Sequence, residues 1–299
     1  MKRDRIINIK SNLCFRSINM RCKFCNNTRV IEYDSIKSLF YSNKSYTLYE
    51  CKNCGCQFFD IHQHEISIDD MYESLANEKV QLSVQFSPRQ YWTDQKNFIL
   101  KMVSQEPTSI LDIGCRTGDF LMHFNKDIIR EGVEISNACA EVATQRGLEI
   151  YNQNIEDLSF KKTYDVVTAY NILEHLIDPK KFLRKLTSIT KKEGVIAILI
   201  PTHECLKVKL LTKLRRRWHM YVPPEHLNFF SRRYLDSFME YYGFKLMKRY
   251  YSSGGLFNPF KKIRFLNWVF AKFMYYIDKL ILYQLPLFDH VFSYYKKIR

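Results

Sequence analysis

Ser109-Ile-Leu-Asp-Ile-Gly-Cys-Arg-Thr-Gly118 decides the fold. The first five residues, mostly apolar, read as a short buried strand that runs directly into glycines at 114 and 118. A glycine lets the backbone leave the strand in a sharp bend and pass close to a ligand, because it has no Cβ to obstruct either. Asp112 sits beneath the bend. The spacing is Asp-x-Gly-x-x-x-Gly, so the Gly-x-Gly-x-x-Gly fingerprint of dinucleotide binding is not met.

Downstream of this stretch strands and helices alternate. After the strand at 109–113, the pattern predicts a helix over 119–125, a strand over 132–135, a helix over 138–146 and a strand over 149–152. A strand at 164–170, a helix at 179–190 and a strand at 194–201 follow. Such alternation implies an open α/β domain: a mostly parallel sheet covered on both faces, with its ligand at the carboxyl ends of the strands. Upstream, 60–100 is polar and helical, with apolar spacing near a helical period at 68–75 and 91–103. Downstream, the pattern predicts a basic helix over 206–218, a loop around Pro223-Pro-Glu-His226, a helix over 231–242 and strands opening at Gly243 and His290.

Nine cysteines fall at 14, 22, 25, 51, 54, 56, 115, 139 and 205. The opening residues carry charges but no apolar core, and no stretch reaches the ~18 uncharged apolar residues of a spanning helix. The expected setting is therefore reducing and cytoplasmic, where cysteine pairs read as metal ligands before disulfides. Cys22-Lys-Phe-Cys25 and Cys51-Lys-Asn-Cys54 form two knuckles joined by β-rich runs at 29–33 and 45–50. Four thiolates so spaced supply the tetrahedral set of a structural Zn2+, a zinc ribbon, with Cys22, Cys25, Cys51 and Cys54 as ligands and Cys14, Cys56, His62 and His64 as spares.

Gly132-Val-Glu-Ile-Ser136 places Glu134 at the tip of the second strand, where a carboxylate accepts hydrogen bonds from both hydroxyls of a ribose and disfavours a 2'-phosphate. At this point the residues resemble the class I S-adenosylmethionine-dependent methyltransferases. Leu111-Asp-Ile-Gly-Cys-Arg-Thr-Gly118 is similar to that family's first motif, Asn154-Ile-Glu-Asp-Leu-Ser-Phe160 to its adenine-edge loop, and Tyr164 to Pro179 to its fourth strand and loop. Pro224-Glu-His-Leu-Asn-Phe-Phe-Ser231 extends the likeness. With a leading ribbon, the chain resembles a subgroup that modifies bacterial glycans and sugars. The resemblance implies a Rossmann-like seven-stranded sheet with its last strand antiparallel, and S-adenosylmethionine held by Asp112, Gly114, Gly118, Glu134, Ile135, Asn154, Ile155 and Asn171. Arg116 stands where the family usually has a middle glycine. A side chain there crowds the methionyl part of the cofactor, or resists a positive φ, unless the local backbone keeps φ negative.

The expected division is a ribbon over 1–60, a helical linker or cap over 61–105, the methyltransferase core over 106–252, and a basic, aromatic amphipathic helix plus the final strand over 253–299. Charge separates these parts. Of the net +15, residues 206–299 carry +14 and 24 of the 45 aromatics. Within it, Arg264, Trp268, Lys272, Tyr275 and Lys279 share one side of a helix over 261–283. Such a segment suits an anionic membrane surface, a site peripheral to the inner face of the membrane, or else its apolar stripe covers the sheet or a twin subunit.

Three histidines occupy loops at the expected ligand edge: His175, His203 and His226. A hydroxyl needs a proton acceptor when it attacks a methyl sulfonium, and each of the three is a candidate base. Glu174 and His175 with Asp178 form an alternative oxygen-rich Mg2+ set. The function expected is methyl transfer to a hydroxyl, in second place to a carbon, of a sugar, a glycan precursor (lipid-linked included) or another small metabolite. Nucleic acid is disfavoured as acceptor, because Ala169-Tyr-Asn-Ile172 replaces the Asn/Asp-Pro-Pro-aromatic motif of amino-methylating DNA enzymes. A non-catalytic interaction protein is the remaining reading, kept open by Arg116.

Overall fold

The computed structural model describes residues 20–38, 44–60, 89–252, 286 and 288–299. In chain order these comprise β1 (Val30–Lys37), β2 (Ser45–Cys51), β3 (Gln57–Phe59), α1 (Arg89–Leu100), β4 (Ser109–Ile113), β5 (Ile129–Val133), α2 (Asn137–Gln145), β6 (Glu149–Tyr151), β7 (Tyr164–Tyr170), α3 (Pro179–Ser188) and β8 (Thr190–Pro201). They continue with α4 (Leu206–Lys213), β9 (Asn228–Phe229), α5 (Arg232–Tyr241), β10 (Phe244–Ser252) and β11 (His290–Lys297).

Seven strands form the main sheet in the order β10-β11-β8-β7-β4-β5-β6. Pairs from β8 to β6 are parallel, and β11 runs antiparallel to both β8 and β10. This is the Rossmann-like architecture the sequence predicts. Successive side chains of a strand point to opposite faces. Hence Leu111, Ile113, Val167, Ala169, Ile196 and Ile198 enter the core on one face, while Ile110, Val166, Ala197, Phe292 and Tyr294 enter a second core on the other. Burial on both faces explains why these strands are apolar throughout rather than alternating.

Local signals set the helix starts. The Ser136 hydroxyl accepts from the Cys139 amide (3.4 Å), the Asp178 carboxylate from the Lys181 amide (2.8 Å) and the Ser231 hydroxyl from the Tyr234 amide (3.1 Å), each satisfying an orphan donor of a first turn. Two expected helices are shorter than their patterns. The 119–125 helix is a single 3-10 turn at Leu121–His123, because Phe124 is extended (φ −86°, ψ 154°) and buries its ring edge-on against Phe120. The 206–218 helix stops at Lys213, since Arg215 takes a left-handed φ of 54° and Trp218 turns inward to donate to Asp289 (3.0 Å). The expected helices over 68–75 and 261–283 lie outside the described residues, as do Cys14, His62 and His64.

The N-terminal knuckles do not sit apart from the core. β1, β2 and β3 form a second sheet that β9 completes, with Gln57 paired to Phe229 and Phe58 to Asn228. Phe24, on the first knuckle, packs edge-on against Phe58, Phe230 and Tyr234 at ring centroid separations of 6.0, 5.0 and 5.3 Å. Cys22, Phe24 and Cys51 share one apolar cluster with Leu111, Val167 and Ile196 of the main sheet.

Candidate active site

The bend after β4 is built as a cradle. Gly114 (φ +75°) and Gly118 (φ +76°) occupy the left-handed region, and a Cβ on either would collide with the Ile172 or Leu148 side chain. The Gly114 and Cys115 amides donate to the Val133 carbonyl (2.8 and 3.1 Å), which binds the bend to the tip of β5. Glu134, 5% exposed, bridges the two: one carboxylate oxygen accepts from the Arg116 amide (2.9 Å) and the other from the Ser136 amide (2.8 Å). Burial pushes its pKa up against these hydrogen bonds. Each oxygen keeps a second lone pair for a ligand hydroxyl. Beneath, Asp112 is 4% exposed, accepts from the Thr168 hydroxyl (2.6 Å) and is raised by burial to about 7.

Arg116 does not keep φ negative. It takes φ 52°, the conformation its family glycine would favour, at a cost of roughly 1 kcal/mol for a side chain. Its guanidinium favours the ionised Glu134. Arg116→Gly is therefore expected to raise the melting temperature by a few degrees and to leave donor affinity no weaker; calorimetry checks both.

Two histidines meet at the same edge of the sheet. His175 follows β7 and His226 precedes β9, and their rings stand 4.9 Å apart at 70°. A carbonyl only accepts, so the contacts from His175 Nδ1 to the Glu225 carbonyl (2.8 Å) and from His226 Nδ1 to the Met220 carbonyl (3.0 Å) place a proton on each Nδ1. In neutral rings the Nε2 atoms then carry bare lone pairs. Burial lowers both pKa values, and the neighbouring imidazole helps take His226 to about 3. Glu174 lies beside them, 2% exposed, with its Oε2 lacking a hydrogen bond among the described residues and its pKa raised by burial to about 8. Ligand atoms of Glu174, His175 and His226 lie within 4.8 Å of one another.

The four knuckle sulfurs pass a separate geometric test. Cys22 and Cys54 are 3.7 Å apart at sulfur, and Cys25 and Cys51 3.6 Å. Four sulfurs about 2.3 Å from one tetrahedral centre stand roughly 3.8 Å from each other. Cys25 is held down to about 7: burial would raise it, but the Asn27 amide, the Asn53 side chain and the neighbouring thiols outweigh that.

In sequence, the methyltransferase domain model matches residues 85–248. The chain belongs to the methyltransferase domain family. An uncharacterized protein of Methanocaldococcus jannaschii is 30% identical over 139 residues, 46% of this chain and 65% of that protein. Ajmaline N-methyltransferase of Rauvolfia serpentina is 28% identical over 113 residues, 34% of this chain and 39% of that one. The chain thus spans less than two thirds of the length of either relative. Among solved structures, an S-adenosylmethionine-dependent methyltransferase of Thermotoga maritima, described as a possible histamine N-methyltransferase, superposes with a TM-score of 0.51 at 19% identity over 77% of this chain and all of the other. At that identity the likeness is one of fold.

The other candidate residues are distributed differently along the chain. Ile135 is 36% exposed beside Glu134. Asn154 spends its side chain on the Glu156 amide (2.9 Å), and Ile155 is core, with its carbonyl taken by Lys185 (2.5 Å). Asn171, exposed just after β7, has φ 54°. Asp178 caps α3 and is not among the clustered Glu174, His175 and His226. His203 faces the second cysteine knuckle, with its Nε2 donating to the Gly55 carbonyl (3.0 Å), and is not brought to the histidine pair. It lines a cavity of about 400 Å3 with Glu50, Gln57 and Arg232.

Two positioning residues escaped the sequence reading. Asn152 donates to the Glu134 carbonyl (2.8 Å), and Asn228, 1% exposed, donates to the Leu173 (3.0 Å) and Leu176 (2.7 Å) carbonyls, so it sets the loop that carries His175. In sequence Asn152 is the last residue of a strand stretch and Asn228 an inner residue of the 224–231 motif, and an asparagine at either place is too common to mark a role. Asn228→Ala orphans two buried carbonyls and is expected to cost about 1–3 kcal/mol, read as a lower urea midpoint at unchanged slope.

Proposed function

We propose that this methyltransferase moves a methyl group from S-adenosylmethionine to a hydroxyl of a sugar, a glycan precursor or another small metabolite, with the His175–His226 pair as proton acceptor and Cys22, Cys25, Cys51 and Cys54 holding a structural Zn2+. The observation that carries the reading is the pair of imidazoles whose Nδ1 atoms are both fixed on main-chain carbonyls, at the strand edge that also carries the glycine cradle. When bound, the donor supplies an electrophilic methyl on a sulfonium. The protein's part is to bind, orient and deprotonate. Glu134 accepts ribose hydroxyls, the bend at 114–118 lets the backbone approach, and a bare Nε2 takes the acceptor's proton. Positioning of this kind contributes ~7–11 kcal/mol to lowering a barrier.

An amine acceptor is the second reading, favoured by the relatives named for nitrogen methylation. A lipid-linked saccharide falls within the first class and would bring the enzyme to the cytoplasmic face of a membrane. The test is transfer of isotopically labelled methyl to nucleotide sugars, lipid-linked saccharides and amines, with product mass spectrometry. Labelled oxygen on a sugar supports the proposal; labelled amines alone turn it to the second reading. Absence of donor binding by calorimetry overturns both.

A further inference from the structure

We propose that α4 and the arginine run after it seat the chain on an anionic lipid bilayer. Leu206, Leu210 and Leu214 are 55%, 54% and 56% exposed. Spaced by four, they form one stripe along the helix. The opposite face is already used: Val208 is 4% exposed and packs, with Leu211, into the cluster of Trp218, Tyr221 and Phe229. The helix therefore has two apolar faces, and only one of them serves the core.

Charge identifies what meets the other. Lys209, Lys213, Arg215, Arg216 and Arg217 lie along or just after the stripe, and no acidic residue occurs from Leu206 to Pro224. Leucines flanked by lysines whose stems reach along the apolar face are the composition of an interfacial helix. A second copy of the chain would set these cations against their own kind, and a nucleic acid has no use for three exposed leucines. The platform is also rigid. Asp289, 1% exposed, accepts from Lys207 Nζ (2.7 Å) and Trp218 Nε1 (3.0 Å), and the Leu206 amide donates to the Pro286 carbonyl (2.7 Å). Both ends of the segment are thus tied to Pro286 and Asp289, just ahead of β11, which fixes the direction the leucines face. Among the described residues no helix is long and apolar enough to cross a membrane, so the contact is a surface one.

The inference deepens the proposed lipid-linked acceptor, but it is read without methyl donor, so failed transfer and failed membrane binding are separate results. The full chain is sedimented with vesicles of phosphatidylcholine alone or mixed with phosphatidylglycerol. Binding is expected only to the mixed vesicles, weakening with salt, and the Leu206→Asn/Leu210→Asn/Leu214→Asn variant is expected to bind about tenfold more weakly at unchanged charge. Because these side chains are exposed, its melting temperature should match the parent's. Equal binding by parent and variant overturns the proposal, as does equal binding to neutral vesicles. A leucine-dependent dimer, or tighter binding to duplex nucleic acid than to vesicles at the same salt, would reassign the surface and overturn it as well.

Discussion

Cys25→Ser is expected to abolish methyl transfer while sparing the donor site. Cys25 is the one partly exposed member of the four-sulfur set, so its replacement disturbs packing least. The loss of one thiolate should weaken Zn2+ binding a hundredfold or more, since ligation and folding of such a site share one free energy. The effect travels because the second knuckle is bonded directly to the acceptor side. The Cys54 carbonyl accepts from the Ser231 hydroxyl (2.5 Å), the Gly55 carbonyl from His203, and β3 pairs with β9, two residues beyond His226. Glu134 and the 114–118 bend share none of these bonds. The expected outcome is a metal content falling from one zinc per chain towards none, transfer lost, and donor affinity by calorimetry within about threefold of the parent, roughly 0.6 kcal/mol. Transfer at parental rate in the metal-free variant would show the ribbon to be a passenger.

His175→Gln should lower kcat by ~10²–10⁴, the usual weight of a positioned base, with donor affinity unchanged. The smaller loss is expected for His226→Gln, because His226, pushed down to about 3, is the poorer proton acceptor. Burial lowers His175 as well, so the acid limb of kcat/KM should fall below the ordinary imidazole value of about 6.5. Stability carries the matching sign. Below about 6.5 the unfolded chain binds a proton at each of these histidines that the folded chain refuses, so their burial costs more as the pH falls from there towards the folded pKa. Gln in place of His226 removes that cost, and urea midpoints of parent and variant should diverge progressively on the acid side. An acid limb at the ordinary value, with midpoints that track each other, would mean that the rings titrate freely and are not the buried pair.

Much of this was legible in the chain because it is local. Tyr164–Tyr170 and Ser109–Ile113 are apolar, bounded and flanked by breakers, and both strands occur with the boundaries the pattern predicts. The knuckle spacing specifies a ligand set without reference to the rest of the fold. What could not be read is long-range. A two-residue pairing such as β3 with β9 has no sequence signature, yet it joins the N-terminal sheet to the rest of the chain. Nor does a loop histidine announce its neighbours: His203 and His226 look equivalent along the chain, but one is spent on the Gly55 carbonyl and the other meets His175. The 119–125 stretch has helical periodicity and still forms a single turn, because burying Phe120 against Trp92 and Tyr170, and Phe124 against Phe120, outweighs propensity there.

The place of β11 in the main sheet bears on how the protein comes to exist. It is inserted between β8 and β10, two strands translated earlier, and hydrogen-bonds to both along its length. Until residues 290–297 leave the ribosome, β8 and β10 have no common neighbour, and each presents a row of unmatched amides and carbonyls to any passing strand. A nascent chain stalled before that point should be a client for chaperones, and the slot it leaves is wide enough for the β11 of another copy.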